Sequence, residues 1–279
     1  MAFQPVVPLS GLAGLRVLER TYDRQFEAFS NSADIQLDVE YFLENAGSIE
    51  SSADFVADRR LMKVALGAFG LSSEIDKKAL LRKMLDEGTE SRTALANKFT
   101  DSRYAEFSSA LGFGNSSGYK LSDPDALQAL VDKYLEESFE EAVGQVDDTM
   151  RIALNFKNEI LDIAASGTST ETGWLRTLGK LPVRAVLDKA FNLPDQFAQV
   201  DIDRQVEVYQ ERAQAILGED SVLAFLDPEN VDTVLRRYMA VVQAESGPSS
   251  STPGIGALTL LQSSGLGASS QVGLILSNS

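Results

Sequence analysis

Carboxylates are the main chemical resource of this chain. Glu136, Glu137, Glu140 and Glu141, followed by Asp147 and Asp148, form its densest acidic cluster. A pair of carboxyl groups in unlike environments can act as acid and base, and several converging from different elements can hold Mg²⁺ or Ca²⁺. Here they fall along one expected helix, mostly on its polar side, which reads as a solvated face. Histidine and cysteine are absent. That excludes thiolate nucleophiles, imidazole bases, Ser-His-Asp triads and zinc sites built from those ligands. Gly112-Phe113-Gly114 with Gly118 lacks the Lys-Ser/Thr ending and the preceding strand of a phosphate loop. The lone Trp174 reads as a core anchor, and Arg103-Tyr104 after Asp101 as a helix start with its cap. No catalytic, cofactor-binding or metal residue is therefore expected, and no enzyme. A carboxylate hydrolase would require a deep pocket with converging acids of raised pKa.

The same acids dominate the overall charge. Forty-one Asp and Glu against 25 Lys and Arg give a net charge of -16. Such a balance opposes nucleic acid and anionic membrane surfaces, and suits a basic protein partner. No stretch approaches the roughly 20 apolar residues of a membrane span. The first 15 residues lack a basic leader, so the expected setting is the cytoplasm, or export without a cleaved signal peptide.

The elements that must position these side chains are helical. Apolar residues recur at three and four positions in Leu15 to Phe29, in Ile35 to Leu43, and in one or two helices from Asp54 to Phe69. Further helices are expected from Ile75 to Leu85, Thr89 to Phe99 and Tyr104 to Phe113. From Asp123, with Pro124 at the first helical position, the pattern runs unbroken to Gly167. That predicts one helix of about 40 residues and about 60 Å. Shorter helices follow at Trp174 to Leu178, Leu181 to Phe191, Val206 to Leu217 and Val231 to Val242. No run of alternating residues with hairpin signals predicts a sheet.

The chain also resembles itself. Leu61 to Leu71 and Leu181 to Leu193 both end in Ala-Phe-(Gly or Asn)-Leu, placing Gly70 and Asn192 as helix stops. Phe99-Thr100-Asp101 and Phe225-Leu226-Asp227 each put an Asp where it can cap a following helix. The expected fold is all-α, with two related multi-helix units joined by a long helix and flexible ends. The divisions are a flexible entry segment 1–13, unit 1 at 14–121, the linking helix at 122–166, unit 2 at 167–245 and a tail at 246–279. From Gly247 the tail is rich in Ser and Gly, with apolar patches at Ile255 to Leu261 and Val272 to Leu276.

Gln4-Pro5-Val6-Val7-Pro8-Leu9-Ser10-Gly11, Arg16, Thr21-Tyr22-Asp23-Arg24-Gln25, Leu66 to Leu71, Leu85 to Thr89, Thr100 to Tyr104 and Phe113-Gly114 are similar to segments of a bacterial family. The family is catalogued as domain of unknown function 1217. The resemblance covers most of residues 1–245, less closely in the second half, where Asn192 replaces Gly. Family members can contain the unit more than once, have no established activity, occur in alphaproteobacteria and are often encoded among flagellar genes. The resemblance therefore implies a flagellum-associated, non-enzymatic structural or interaction component with protein partners and no cofactor. The alternative is a cytosolic acidic adaptor or chaperone-like binder of a basic or unfolded protein.

Overall fold

The computed structural model describes residues 3–246, so the expected tail from 247 onward, with its two apolar patches, lies outside the described residues. Among them there are twelve α-helices and no strand. The first six are α1 (Gly11–Ser30), α2 (Ala33–Asn45), α3 (Ser52–Ala57), α4 (Arg59–Gly67), α5 (Lys78–Glu87) and α6 (Arg103–Leu111). The second six are α7 (Pro124–Val146), α8 (Asp148–Ala165), α9 (Thr170–Gly179), α10 (Leu181–Ala190), α11 (Ile202–Leu217) and α12 (Pro228–Ser246). Each half places a 3-10 turn after its fourth helix, at Ser72–Glu74 and Asp195–Gln199, and another after its fifth, at Leu95–Lys98 and Val222–Leu226. The described residues thus form an all-helical tandem in which six helices, with 3-10 turns after the fourth and fifth, are followed by six more in the same order.

Local chemistry marks the same joints in both. Gly70 (φ 61°) and Asn192 (φ 54°) are left-handed, and Asn192 is the one non-glycine of positive φ among the described residues. Leu71 N donates to Leu66 O at 2.9 Å and Leu193 N to Asp188 O at 2.8 Å, the six-residue closure that satisfies orphan carbonyls at a helix end. Asp101 accepts from Arg103 N at 3.0 Å, and Asp227 from Glu229 N at 2.9 Å. The helix expected over Thr89 to Phe99 is reduced to the Leu95–Lys98 turn. Side chains satisfy its backbone instead: Glu87 accepts from Leu95 N, and Asn97 donates to Thr89 O and Ser91 O.

The expected spine from 122 to 166 is not one helix. It breaks at Asp147, whose backbone is extended (φ -153°, ψ 106°) and whose carboxylate accepts from Thr149 N and Met150 N. An Asp that caps a new start competes with helix continuation, and here the cap prevails. The chain folds back, so α7 and α8 form an antiparallel hairpin in which Asn155 and Asn158 reach Glu140.

Two apolar cores result, and α7 contributes to both. The first holds Phe42, Phe55, Leu61, Met62, Leu85 and Phe107, with Leu130, Val131 and Tyr134 from α7. The second holds Phe156, Trp174, Phe191, Tyr209 and Phe225, with Phe139 and Val143 from α7. Leu15, Leu18 and Phe29 of α1 belong to this second core, not to the repeat that α1 opens. Phe139 explains the exchange: its ring meets Tyr22, Phe26 and Phe29 edge-on at centroid distances of 5.3, 5.7 and 5.6 Å. Ion pairs from Arg16 to Asp232 (2.8 Å) and from Lys157 to Glu19 (3.0 Å) flank this packing.

The described part of the segment expected to be a flexible entry is docked. Pro5 is buried, Phe3 and Val7 pack against the second core, and Gln25 both accepts from Val6 N and donates to Val6 O. A Cβ on Gly14 would sit 1.8 Å from Leu9 O, so the strap closes on α1 only because position 14 has no side chain.

Phe139→Ala should destabilise the chain by about 3–5 kcal/mol in urea unfolding, the usual cost of emptying a large buried aromatic site. Leu37→Ala, at an exposed position of α2, should change stability by no more than about 0.5 kcal/mol.

Candidate functional site

The α7–α8 hairpin carries its polar face through the joint between repeats, and two clefts share that wall. The smaller has a volume of about 390 Å³ and reaches Gly70, Asp101 and Arg103; the larger has about 790 Å³ and reaches Asp132, Asp162 and Arg176. Glu106, Lys133, Glu137, Glu140, Asn155, Glu159 and Lys180 line both.

Four elements bring these groups together. α7 supplies Lys133, Glu137 and Glu140, at intervals of three and four residues, on one face. α8 supplies Asn155 and Glu159, and α6 supplies Glu106. Lys180, in the turn between α9 and α10, bonds Glu159 at 2.6 Å and Glu106 at 3.1 Å, so it ties the second repeat to the first. Lys133 stands 3.7 Å from Glu106.

The acidic cluster expected to be solvated is divided by the fold. Glu136, Glu141 and Asp148 are exposed, but Glu140 is 4% exposed and Glu137 is partly buried. Asn158 Nδ2 donates to one Glu140 oxygen at 2.8 Å and Asn155 Nδ2 to the other at 3.1 Å. Burial pushes the Glu140 carboxyl up to about 8; the neighbouring Glu137 adds to this, while the two Asn donors oppose it. Burial likewise pushes Glu137 up to about 7, against the pull of Lys133, Arg103 and Lys180. Burial alone would lower Lys180, but Glu159 and then Glu106 hold it above its ordinary value. Burial raises the exposed rim residue Glu136 as well, and Asp132 and Asp162 add to the effect by repulsion.

Chemically, the joint offers two carboxyl groups that change charge near neutral pH inside a cleft. It does not assemble a metal cage: among the described residues no three Asp or Glu converge as ligands. The helix stops and caps read from sequence are distributed unequally. Gly70 and Asp101 meet at the smaller cleft through Arg103, which pairs with Asp101 at 2.7 Å and donates to Gly70 O at 2.9 Å. Asn192 and Asp227 line neither cleft. Trp174 is fully buried and donates to Asp220 O at 2.7 Å. Sequence reasoning placed Glu137 and Glu140 on a solvated face and did not single out Glu159 or Lys180. The available signal was Asp147-Asp148-Thr149, a capping sequence that folds the acidic stretch back on itself.

These features define a class: a tandem helical-repeat protein with a charged joint. The family model described as a protein of unknown function (DUF1217) matches residues 68–231, and the chain belongs to this family. The chain is also similar to the crystal structure of a protein from Agrobacterium tumefaciens, with a TM-score of 0.69 and 27% identity over 88% of this chain and 100% of that one. No curated protein matches it. Among the described residues no helix is long and apolar enough to cross a membrane.

The raised carboxyls fix a sign for pH dependence. Their ordinary value is 4.5, so above it the unfolded chain releases protons that the folded chain keeps, up to about pH 7 for Glu137 and about pH 8 for Glu140. Their contribution is therefore greatest below about pH 4.5, declines as pH rises and levels off above about 8. Each tenfold gain in proton affinity on folding corresponds to about 1.4 kcal/mol, so Glu140 alone should account for a few kcal/mol of that fall. Urea midpoints measured from about pH 5 to 9 should decline in the natural chain and decline less in Glu140→Gln.

Proposed function

We propose that the chain is a non-enzymatic protein-interaction component whose larger inter-repeat cleft receives a basic segment of a partner protein. The observation that carries this is the charge of that cleft, where five carboxyl groups besides Glu137 and Glu140 face three cations. Asp132 and Asp162 both repel Glu136 at its rim, so an incoming Lys or Arg would relieve an existing repulsion. The overall charge of -16 favours the same kind of partner at long range. A flagellum-associated setting, implied by the resemblance to a family often encoded among flagellar genes, is part of this proposal.

One observation favours a second possibility, a carboxylate-based hydrolase. Glu137 titrates near neutrality, faces both clefts and has no side-chain hydrogen bond to another described residue. It ranks second because Asn155 and Asn158 occupy both oxygens of Glu140, the acid beside it.

A Lys- and Arg-rich peptide should bind the full chain, and binding should weaken as salt rises. Asp132→Lys with Asp162→Lys should lower its affinity about tenfold or more, a loss of about 1.4 kcal/mol. Equal binding by the charge-reversed chain, or binding indifferent to salt, would sink the proposal.

A further inference from the structure

The larger cleft is a groove with helical walls. α7 lines it from Ala129 to Glu140, and α9 lines it with Thr172, Leu175 and Arg176. α8 packs against both of these helices and contributes the buried Asn155 and Ile163, so it forms the floor. The α7 wall runs about 16 Å, or about three helical turns at 1.5 Å per residue. No strand is present among the described residues, and the wall backbones are paired within their own helices. An extended segment would find no edge to join here, so its N–H and C=O groups would depend on side chains. Those side chains do not suit it. Glu136, Glu137 and Asp162 accept no side-chain hydrogen bond from a described residue, so acceptors are in excess. The donors are committed: Lys180 to Glu159 and Glu106, Lys133 to Glu106, Arg176 to Ser166, and Asn155 and Asn158 to Glu140. Carbonyl oxygens of an extended segment would lie unpaired against carboxylates, whereas a helix satisfies its own.

We infer that the segment this groove receives is a basic amphipathic α-helix of about three turns, laid between α7 and α9 over α8. The inference rests on the proposal that the larger cleft takes a basic partner, and adds the conformation of that partner. Asp132 and Glu136 lie one turn apart on α7, and Asp162 of α8 is close enough to repel Glu136. Lys or Arg residues spaced three or four apart share one side of a helix and would meet these acids together. The exposed Leu175, with Ala129 and Ile163, offers apolar contact to a strip of Leu or Ala beside that row. The free N–H groups of the helix's first turn also suit an acidic groove whose own donors are engaged.

Peptides of about 14 residues test this against the full chain, since free helices of that length are marginal in water and a helix formed on binding is visible. In the first, Lys recurs every three or four residues on one face beside a strip of Leu, with Ala elsewhere. The second has the same composition in a shuffled order without either row. The third is the first with a central Ala replaced by Pro. The striped peptide should gain helical circular dichroism on binding and bind at least about tenfold tighter than the other two. Asp132→Lys with Asp162→Lys should remove that advantage, and Leu175→Ser should weaken the striped peptide more than the shuffled one. Equal affinity for all three peptides would overturn the helical inference and leave a basic partner standing. No binding by any of them would overturn both. A preference for the striped peptide that survives the charge reversal would place it outside this groove and overturn the inference as well.

Discussion

The passage of α7 through both cores is the constraint on which the rest of the structure depends. Leu130, Val131 and Tyr134 are buried in the first core and Phe139 and Val143 in the second. A helix anchored apolar at both ends cannot turn its middle freely to solvent. Residues at three- and four-residue spacing share a face, so the anchoring carries Glu137 and Glu140 into the joint. Burying them costs free energy unless they are neutral or paired, and the structure meets that cost locally. Two Asn side chains satisfy Glu140, three cations stand near Glu137, and Lys180 pairs with the adjoining Glu106 and Glu159.

The exchange of first helices between repeats follows from the same constraint. A six-helix repeat that buries Phe139 needs apolar partners for its ring, and α1 provides three of them. Once α1 is committed to the second core, the first core is completed by the start of α7. The repeats are therefore interlocked rather than strung on a spine, and neither has a complete core alone. The exposed ion pairs at Arg16 and Lys157 add orientation more than stability, since exposed pairs contribute about 0–1 kcal/mol. The aromatic packing holds the joint together, with the raised carboxyls of Glu137 and Glu140 beside it.

Interlocking also gives the clefts their character. They draw their walls from α6 of the first repeat and from α7, α8 and the residues around Lys180 of the second. The rim acids Asp132, Glu136 and Asp162 lie on the same hairpin as Glu137 and Glu140.

Local rules were enough for much of the fold. Helical periodicity, Gly70 and Asn192 in matched Ala-Phe-X-Leu stops, and Asp101 and Asp227 as acceptors at the starts of α6 and α12 depend on residues within a turn or two, so the all-α class and the repeated order can be read from sequence. Composition alone removed every chemistry that needs His or Cys. Where the long pattern from 124 to 165 folds back could not be decided by periodicity, because α7 and α8 are both amphipathic and Asp147 is as acceptable within an acidic stretch as at a cap. The burial of Glu137 and Glu140 was beyond sequence for a further reason. Their polar face becomes interior only when α6, α8 and Lys180 close over it from about 15 to 45 residues away in the chain. Sequence by itself determined the helices, their stops and the excluded chemistries. Tertiary structure alone decided which acids meet, because desolvation and charge pairing depend on neighbours in space rather than on neighbours in the chain.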